Sequence, residues 1–133
     1  MNKIVYFLVG PTAIGKSSFA LKISKLLNGQ IVNADSMQIY KELNILSARP
    51  NVSDLKKVKH HLYGYVNGKQ RYNVEKWCND ATEIIKLSNR KNFTPIFVGG
   101  TGLYVKTLIN GITPIPKVPE VIKKETNKLF DKI

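Results

Sequence analysis

The chain has 133 residues, 43% of them hydrophobic and 23% charged, which fits one globular domain and excludes a disordered or fibrous chain. Its formal net charge of +12 favours anionic partners such as nucleotides, diphosphates or nucleic acid. Cys78 is the only cysteine, so an internal disulfide and a cysteine-based zinc site are excluded, and we expect a reduced, cytoplasmic setting. The apolar run that begins at Ile4 is too short to span a membrane, so we expect no membrane association.

The first predicted strand, over residues 4–9, leads into a glycine-rich loop that is followed by a predicted helix. The loop reads G-x-x-x-x-G-K-S and comprises Gly10, Pro11, Thr12, Ala13, Ile14, Gly15, Lys16 and Ser17. In this setting backbone N–H groups and the helix N-terminus face phosphate oxygens, the lysine adds a positive charge, and the serine hydroxyl can hold Mg²⁺. The pattern therefore predicts a phosphate site with Mg²⁺ as cofactor, and a chance glycine-rich turn is the alternative.

The predicted elements that follow alternate between helices and strands. The pattern predicts a helix over 18–27, a strand over 30–34, a helical turn near 37–43 and a short helix over 53–58. It then predicts a strand or extended loop over 60–66, a helix capped by Asn73, a strand over 93–98 and a helix over 103–109. Strand–helix–strand units of this spacing form parallel sheets. The fold class predicted is α/β, a P-loop NTPase-like parallel sheet flanked by helices.

The last twenty residues differ in character from the rest. Pro114, Pro116 and Pro119 predict a stiff connector, and 120–133 predicts an amphipathic helix whose apolar face has nothing to cover it. We therefore divide the chain into an α/β core over 1–113 and a connector with the start of a helical region over 114–133. We expect the sequence to be the N-terminal part of a longer protein, truncated at its C-terminal end.

Two candidate groups follow the predicted strands at the edge of the sheet where ligands bind in α/β folds. Asp35 follows the second strand and is either a functional carboxylate or the N-cap of a helix, with Gln38 completing a capping box. Thr101 lies in the turn Gly99-Gly100-Thr101-Gly102, which either lets a ligand approach the backbone closely or is simply a tight turn.

Two further observations limit the kind of site. No acidic residue directly follows the predicted strand over 93–98, which argues against a motor ATPase or GTPase. The paired residues His60-His61 have no companion ligands in the sequence, so structure or substrate contact is favoured over metal binding.

Four segments of the chain resemble the tRNA dimethylallyltransferases, also called tRNA isopentenyltransferases, in both order and spacing. They are GPTA-x-GKS from Gly10, NADSMQIY from Asn33, HHL from His60 and VGGTGLY from Val98. The resemblance extends through Tyr104 and is much more specific than the phosphate loop alone. It implies transfer of the dimethylallyl group of dimethylallyl diphosphate to the exocyclic amine of the adenine beside the tRNA anticodon.

The resemblance also implies roles for single residues. Asp35 would be the general base that takes the amine proton, and Thr101 would contact the substrate near the reacting centre. The tRNA-binding residues would be Asp35, Ser36, Met37, Gln38 and Thr101, and the phosphate loop would hold the leaving diphosphate with Mg²⁺ at Ser17. The implied partners are tRNA and dimethylallyl diphosphate, and we expect a cytoplasmic monomer.

Three other functions stay open at this point. A nucleotide or shikimate-type kinase would bind ATP in the same loop, but the arginine cluster expected for its lid is missing after Ser88. An adenylate isopentenyltransferase would use the same core on a free nucleotide. A remnant that binds phosphate or tRNA without turnover is the third.

Overall fold

The computed structural model describes residues 4–11, 13–43, 48–112 and 116–132. Within these residues one sheet contains the strands β1 (Tyr6–Val9), β2 (Gly29–Asn33), β3 (His60–His61) and β4 (Thr94–Gly99). The strand order is β1-β4-β2-β3, and each neighbouring pair is parallel. The predicted α/β class with a parallel sheet is therefore confirmed, and the bounds of β2 and β4 are shifted by one residue from those predicted.

The helices of the described residues are α1 (Lys16–Leu26), α2 (Val52–Lys57), α3 (Val74–Lys91), α4 (Gly102–Asn110) and α5 (Glu120–Phe130). The predicted cap of α3 is confirmed, because the Asn73 side-chain oxygen accepts a hydrogen bond from the Lys76 N–H at 2.9 Å. Trp77, Cys78 and Ala81 of α3 are buried and form the face of this helix that packs on the core.

Alternating side chains of β4 separate two apolar cores, as expected for a strand covered on both faces. Ile96 and Val98 pack with Ala20 of α1 on one face of the sheet. Phe97 points to the other face, where its ring meets Trp77 of α3 edge-on with ring centroids 5.9 Å apart. The result is a helix–sheet–helix sandwich whose strands all end at the same edge.

The apolar side chains of α1 are buried to very different degrees. Ala20 is buried, but Phe19 is 54% exposed and Leu26 is 84% exposed. The reason is that β1 is the outer strand of the described sheet, so no described strand lies beyond it to cover Phe19. Periodicity alone does not reveal where a sheet ends.

The helical turn predicted near 37–43 is wrong. The described part of this segment forms turns whose backbone bonds go to a distant segment, residues 64–66. Gly64 donates its N–H to the Gln38 carbonyl at 2.8 Å, and two further N–H groups of the distant segment donate to the Ile39 carbonyl. These carbonyls are therefore satisfied without a helix.

The tail helix α5 is present as predicted, and its residues are exposed along their whole length. The predicted boundary between the core and the connector, at 113–114, lies outside the described residues, so the domain division stays a prediction. No helix in the described ranges combines the length and apolar character needed to cross a bilayer.

Candidate active site

A cleft of about 290 Å³ opens at the edge where the strands end. Because β4 lies between β1 and β2, the loop after β1 and the turn after β2 flank this cleft from opposite sides. Lys16 and Ser17 line it from the loop, and Asp35 and Gln38 line it from the turn. The expectation that Asp35 lies near the phosphate loop is met by this arrangement.

The phosphate loop has the backbone that anion binding needs. Gly15 has a φ of 87° and Ala13 a φ of 64°, both in the left-handed region that reverses the chain before α1. No side chain caps α1, so the N–H groups of its first turn remain available to an anion. The Lys16 ammonium donates to the Gly10 carbonyl at 2.8 Å and to the Pro11 carbonyl at 2.6 Å, which holds its charge within the loop.

The predicted phosphate-binding residues do not all face the cleft. Ala13, Gly15, Lys16 and Ser17 line it, whereas Ile14 lines a separate apolar hollow on the outer side of β1 and is 61% exposed. Thr12 lies outside the described residues.

Asp35 is held by the fully buried side chain of Asn33, the last residue of β2. The Asn33 side-chain oxygen accepts the Asp35 N–H at 2.9 Å, and its amide donates to the Asp35 carbonyl at 2.9 Å and to the Leu62 carbonyl at 3.0 Å. The Asp35 Oδ1 atom accepts the Met37 N–H at 2.8 Å. No described residue bonds to Oδ2, so one carboxylate oxygen is available to a ligand.

The helix-cap interpretation of Asp35 is wrong. Residues 36–39 form bends and turns instead of a helix, so Asp35 closes a short turn through the Met37 N–H. The turn still fixes the direction of the carboxylate, which is what a cap would have done.

Gly99 lets the end of β4 pass directly against the end of β2. A Cβ atom at this position would stand 2.3 Å from the carbonyl carbon and oxygen of Ala34 and 2.8 Å from the Asp35 nitrogen. Backbone atoms cannot move aside as a side chain can, so only glycine fits. The close contact at Gly99 is made to the protein's own backbone, and the approach of a ligand to this turn stays a prediction.

Thr101 supports the turn that carries Asp35 and does not line the cleft. Its hydroxyl accepts the Ser36 N–H at 2.9 Å, and its own N–H donates to the Ala34 carbonyl at 3.3 Å. Ser36 is also absent from the cleft lining, and Met37 lies nearby with 54% of its surface exposed. Substrate contact by these residues stays a prediction, since in this structure the Thr101 hydroxyl is engaged within the protein.

The two histidines have structural partners. His60 Nδ1 lies 2.7 Å from the Val58 carbonyl, and His61 Nε2 lies 2.7 Å from the Gln30 side-chain oxygen. Burial, with a contribution from the charge of Lys59, lowers the pKa of His61 to about 4, so this ring is neutral at pH 7. In the described part of the chain, no three His, Cys, Asp or Glu side chains cluster as metal ligands.

The cleft nevertheless has donors that suit Mg²⁺. The Ser17 hydroxyl and the Asp35 carboxylate line it together, and hard cations such as Mg²⁺ prefer oxygen ligands supplied by one or two side chains, phosphates and water. Ser17 is the residue that the sequence predicts to hold Mg²⁺, and Asp35 and Gln38 are further oxygen donors in the described lining.

Three residues of the site went unrecognised in the sequence analysis. They are Asn33, Tyr63 and Trp77, none of which was given a role in the site. In the structure Tyr63 lines the cleft, and the Trp77 indole N–H donates to the Asn33 carbonyl at 2.9 Å. These contacts join positions 29 to 44 residues apart, so no local pattern could have indicated them.

Comparison with known proteins decides the family. A family model described as IPP transferase matches residues 38–132, and one described as isopentenyl transferase matches residues 3–67. The chain belongs to the IPP transferase family. The family resemblance stated from the sequence motifs is thereby confirmed.

Curated relatives of this IPP transferase chain are named tRNA dimethylallyltransferase. The relative from Pelagibacter ubique is 46% identical over 139 residues, and the match covers 98% of this chain and 44% of the relative. The relative from Bartonella henselae is 44% identical over 131 residues, again covering 98% of this chain and 44% of the relative. The chain therefore spans less than half the length of the curated relatives it matches.

Solved structures of the family share the fold. The full-length tRNA isopentenylpyrophosphate transferase from Bacillus halodurans superposes with a TM-score of 0.82 at 28% identity, covering 99% of this chain and 44% of that one. A eukaryotic dimethylallyltransferase described as acting on tRNA gives a TM-score of 0.81 at 28% identity, covering 89% of this chain and 30% of that one. These matches confirm the predicted P-loop NTPase-like fold class.

Proposed function

We propose that this IPP transferase family member takes part in transferring the dimethylallyl group of dimethylallyl diphosphate to the exocyclic amine of the adenine beside the tRNA anticodon. The observation that carries the proposal is the shared cleft. One available oxygen of Asp35 lies at the same 290 Å³ cavity as the uncapped start of α1 and Lys16. The names of the relatives from Pelagibacter ubique and Bartonella henselae support the same activity.

The reaction assigns a different task to each side of the cleft. The amine nitrogen forms a bond to the first carbon of the dimethylallyl group while the bond from that carbon to the diphosphate oxygen breaks. The diphosphate leaves with the electron pair, and Lys16 and the first-turn N–H groups of α1 neutralise its added charge. The amine loses one proton, which the Asp35 carboxylate accepts.

Lys16 can contribute without leaving its present position. An ammonium group has three hydrogens, and the carbonyls of Gly10 and Pro11 take two of them. One hydrogen is left for a diphosphate oxygen. We propose Ser17 as the residue that holds Mg²⁺, which when bound would add positive charge beside the diphosphate.

The acceptor base would enter from the side of the turn after β2. Gln38 lines the cleft and Met37 is exposed beside it, so both suit contact with an RNA strand that leads to Asp35. A tRNA substrate would also place the reaction in the cytoplasm. Residues 3–67 match a model described only as isopentenyl transferase, which names no tRNA, so a free adenine nucleotide is the second candidate acceptor.

The decisive experiment follows a radiolabelled dimethylallyl group in the presence of Mg²⁺. The acceptors are an anticodon stem-loop RNA and AMP, and the proteins are the native chain, Asp35→Asn and Ser24→Ala. We expect transfer to the RNA, a loss of about 100-fold or more in Asp35→Asn because the proton acceptor is gone, and no loss in Ser24→Ala. Ser24 is a suitable control because its hydroxyl bonds only within α1, to the Ala20 carbonyl at 2.6 Å.

A thermal-shift measurement accompanies the transfer assay. Dimethylallyl diphosphate at about 100 times its dissociation constant should stabilise both the native chain and Asp35→Asn by about 2.7 kcal/mol. Transfer to AMP alone would favour the second candidate. Stabilisation by ATP but not by the prenyl diphosphate would contradict both prenyl-transfer readings.

A further inference from the structure

Tyr63 occupies a position between the phosphate loop and Asp35. It lines the main cleft together with Ser17 and Asp35. It also lines, again with Ser17, a cavity of only about 10 Å³. The two cavities therefore meet around Tyr63 and Ser17, which places the ring on the side of the cleft that the phosphate loop occupies.

The fold fixes the position of this ring. The preceding residue, Leu62, has a φ of 62°, and its carbonyl accepts the Asn33 amide at 3.0 Å. The following residue, Gly64, donates its N–H to the Gln38 carbonyl at 2.8 Å. The ring itself rests edge-on against His60, with centroids 5.6 Å apart. Tyr63 is thus held from both sides and by its own ring contact.

The hydroxyl of Tyr63 forms no hydrogen bond with a described residue. All buried side-chain nitrogen and oxygen atoms of the described residues do have a hydrogen-bond partner. The Tyr63 hydroxyl is therefore not fully buried, and its side chain lines the cleft. Burial of the ring, with the negative charge of Asp35, raises its pKa above the ordinary value, so the phenol keeps its proton at neutral pH and can donate it in a hydrogen bond.

We propose that the Tyr63 hydroxyl donates a hydrogen bond to an oxygen of the diphosphate bound in the cleft. This inference rests on the proposed diphosphate site. Among the described residues that line the cleft, Lys16 is the only cation, and the carboxylate of Asp35 opposes an anion placed there. A neutral donor beside Ser17 strengthens anion binding without adding a charge that would pair with Asp35.

The ligand chemistry follows from the donor. A phenol O–H at the edge of an anion site can donate to an acceptor oxygen of a bound ligand, and a diphosphate presents several charged ones. The acceptor base is the competing partner. We favour the diphosphate because Tyr63 shares both cavities with Ser17, whereas Asp35 lines only the larger one.

The test measures the affinity of the native chain, Tyr63→Phe and Tyr6→Phe for inorganic diphosphate with Mg²⁺ by calorimetry. Tyr63→Phe keeps the ring and loses no hydrogen bond within the described chain, so we expect an unchanged melting temperature without ligand. Tyr6 is the matched control because its ring packs in the α1-facing core and does not line the cleft.

We expect Tyr63→Phe to weaken diphosphate binding by about tenfold or more, the usual effect of losing a hydrogen bond to a charged group, and Tyr6→Phe to leave it unchanged. Equal affinities for the two variants would overturn the inference and leave the acceptor base as the partner. Absence of diphosphate binding by the native chain would also overturn it. Diphosphate binding that depends on Tyr63, combined with no prenyl transfer, would contradict the proposed function alone.

Discussion

The two sides of the cleft are built in different ways. The phosphate wall, residues 10–17, is made by local contacts: Lys16 bonds to carbonyls five and six residues earlier, and most of its described residues are exposed. The Asp35 wall, residues 33–38, is held by residues 29, 44 and 65 positions away in the sequence, namely Leu62, Trp77 and Thr101. Substitutions elsewhere in the chain should leave the phosphate wall intact, because its contacts are local. The Asp35 wall forms only when the distant segments that hold it are folded.

The largest expected effect compares Gly99, which packs against the backbone of the Asp35 wall, with Gly15 of the phosphate wall. Gly99→Ala places a methyl group 2.3 Å from the Ala34 backbone, and we expect a loss of about 3 kcal/mol or more in unfolding free energy. Gly15→Ala meets no atom within 4 Å and strains only its φ of 87°, which should cost about 1 kcal/mol. Urea denaturation of both variants measures the difference.

Gly102→Ala is the control for this pair, because Gly102 begins α4 and a methyl group there also meets nothing within 4 Å. Its expected effect is zero or a slight stabilisation. Equal losses for Gly99→Ala and Gly15→Ala would show that β2 and β4 can separate without harm, and the contrast between the walls would then fail.

The second largest expected loss of stability comes from removing the side chain of Asn33, which holds Asp35. Asn33→Ala removes three hydrogen bonds and leaves partly buried backbone groups of Asp35 and Leu62 without these partners, so we expect a loss of about 2–3 kcal/mol in unfolding free energy. Asn51→Ala is the matched asparagine, which caps α2 through one exposed bond to the Asp54 N–H and should cost about 1 kcal/mol. Chemical denaturation compares the two, and an Asn33→Ala loss no greater than that of Asn51→Ala would contradict the anchoring role.

The last prediction is a pH dependence of stability that reaches the Asp35 wall through β2. His61 pairs with Val32 of that strand, and its pKa is about 4 in the folded chain against an ordinary value of 6.5. The unfolded chain therefore takes up the proton first as pH falls, so stability should decline from about pH 6.5 towards pH 4. We expect His61→Gln to flatten this decline in melting curves recorded across the range. Parallel curves for the native chain and the variant would refute a buried neutral His61.

The sequence predicts the phosphate wall well because each signal lies within a few residues. The apolar run of β1, the glycines and the start of α1 are neighbours in the chain, and the structure places all three as expected. The cap of α3 is predictable for the same reason, since Asn73 and Lys76 are three residues apart. The sequence did not show which single residues of the loop face the cleft. Ile14, for example, faces the outer side of β1.

The Asp35 wall was predicted only in part. The position of Asp35 at the sheet edge follows from strand order in α/β folds, but the turn after it was predicted as helical. The carbonyls of Gln38 and Ile39 instead accept hydrogen bonds from N–H groups of residues 64–66. Secondary-structure propensity does not predict such a pairing, because the two segments are far apart in the sequence. The place of Tyr63 depends on the left-handed φ of Leu62 and on its bond to Asn33, so it too requires the folded chain.

The bond between Trp77 and Asn33 also has a practical consequence. Trp77 is the only tryptophan in the chain, and its indole N–H is donated to the residue that anchors Asp35. Intrinsic fluorescence excited at the indole therefore comes from one site, with no background from a second emitter. A ligand that shifts the turn beside Asp35 will alter the emission of this one ring, so the chain carries an optical reporter of its own cleft and needs no added dye.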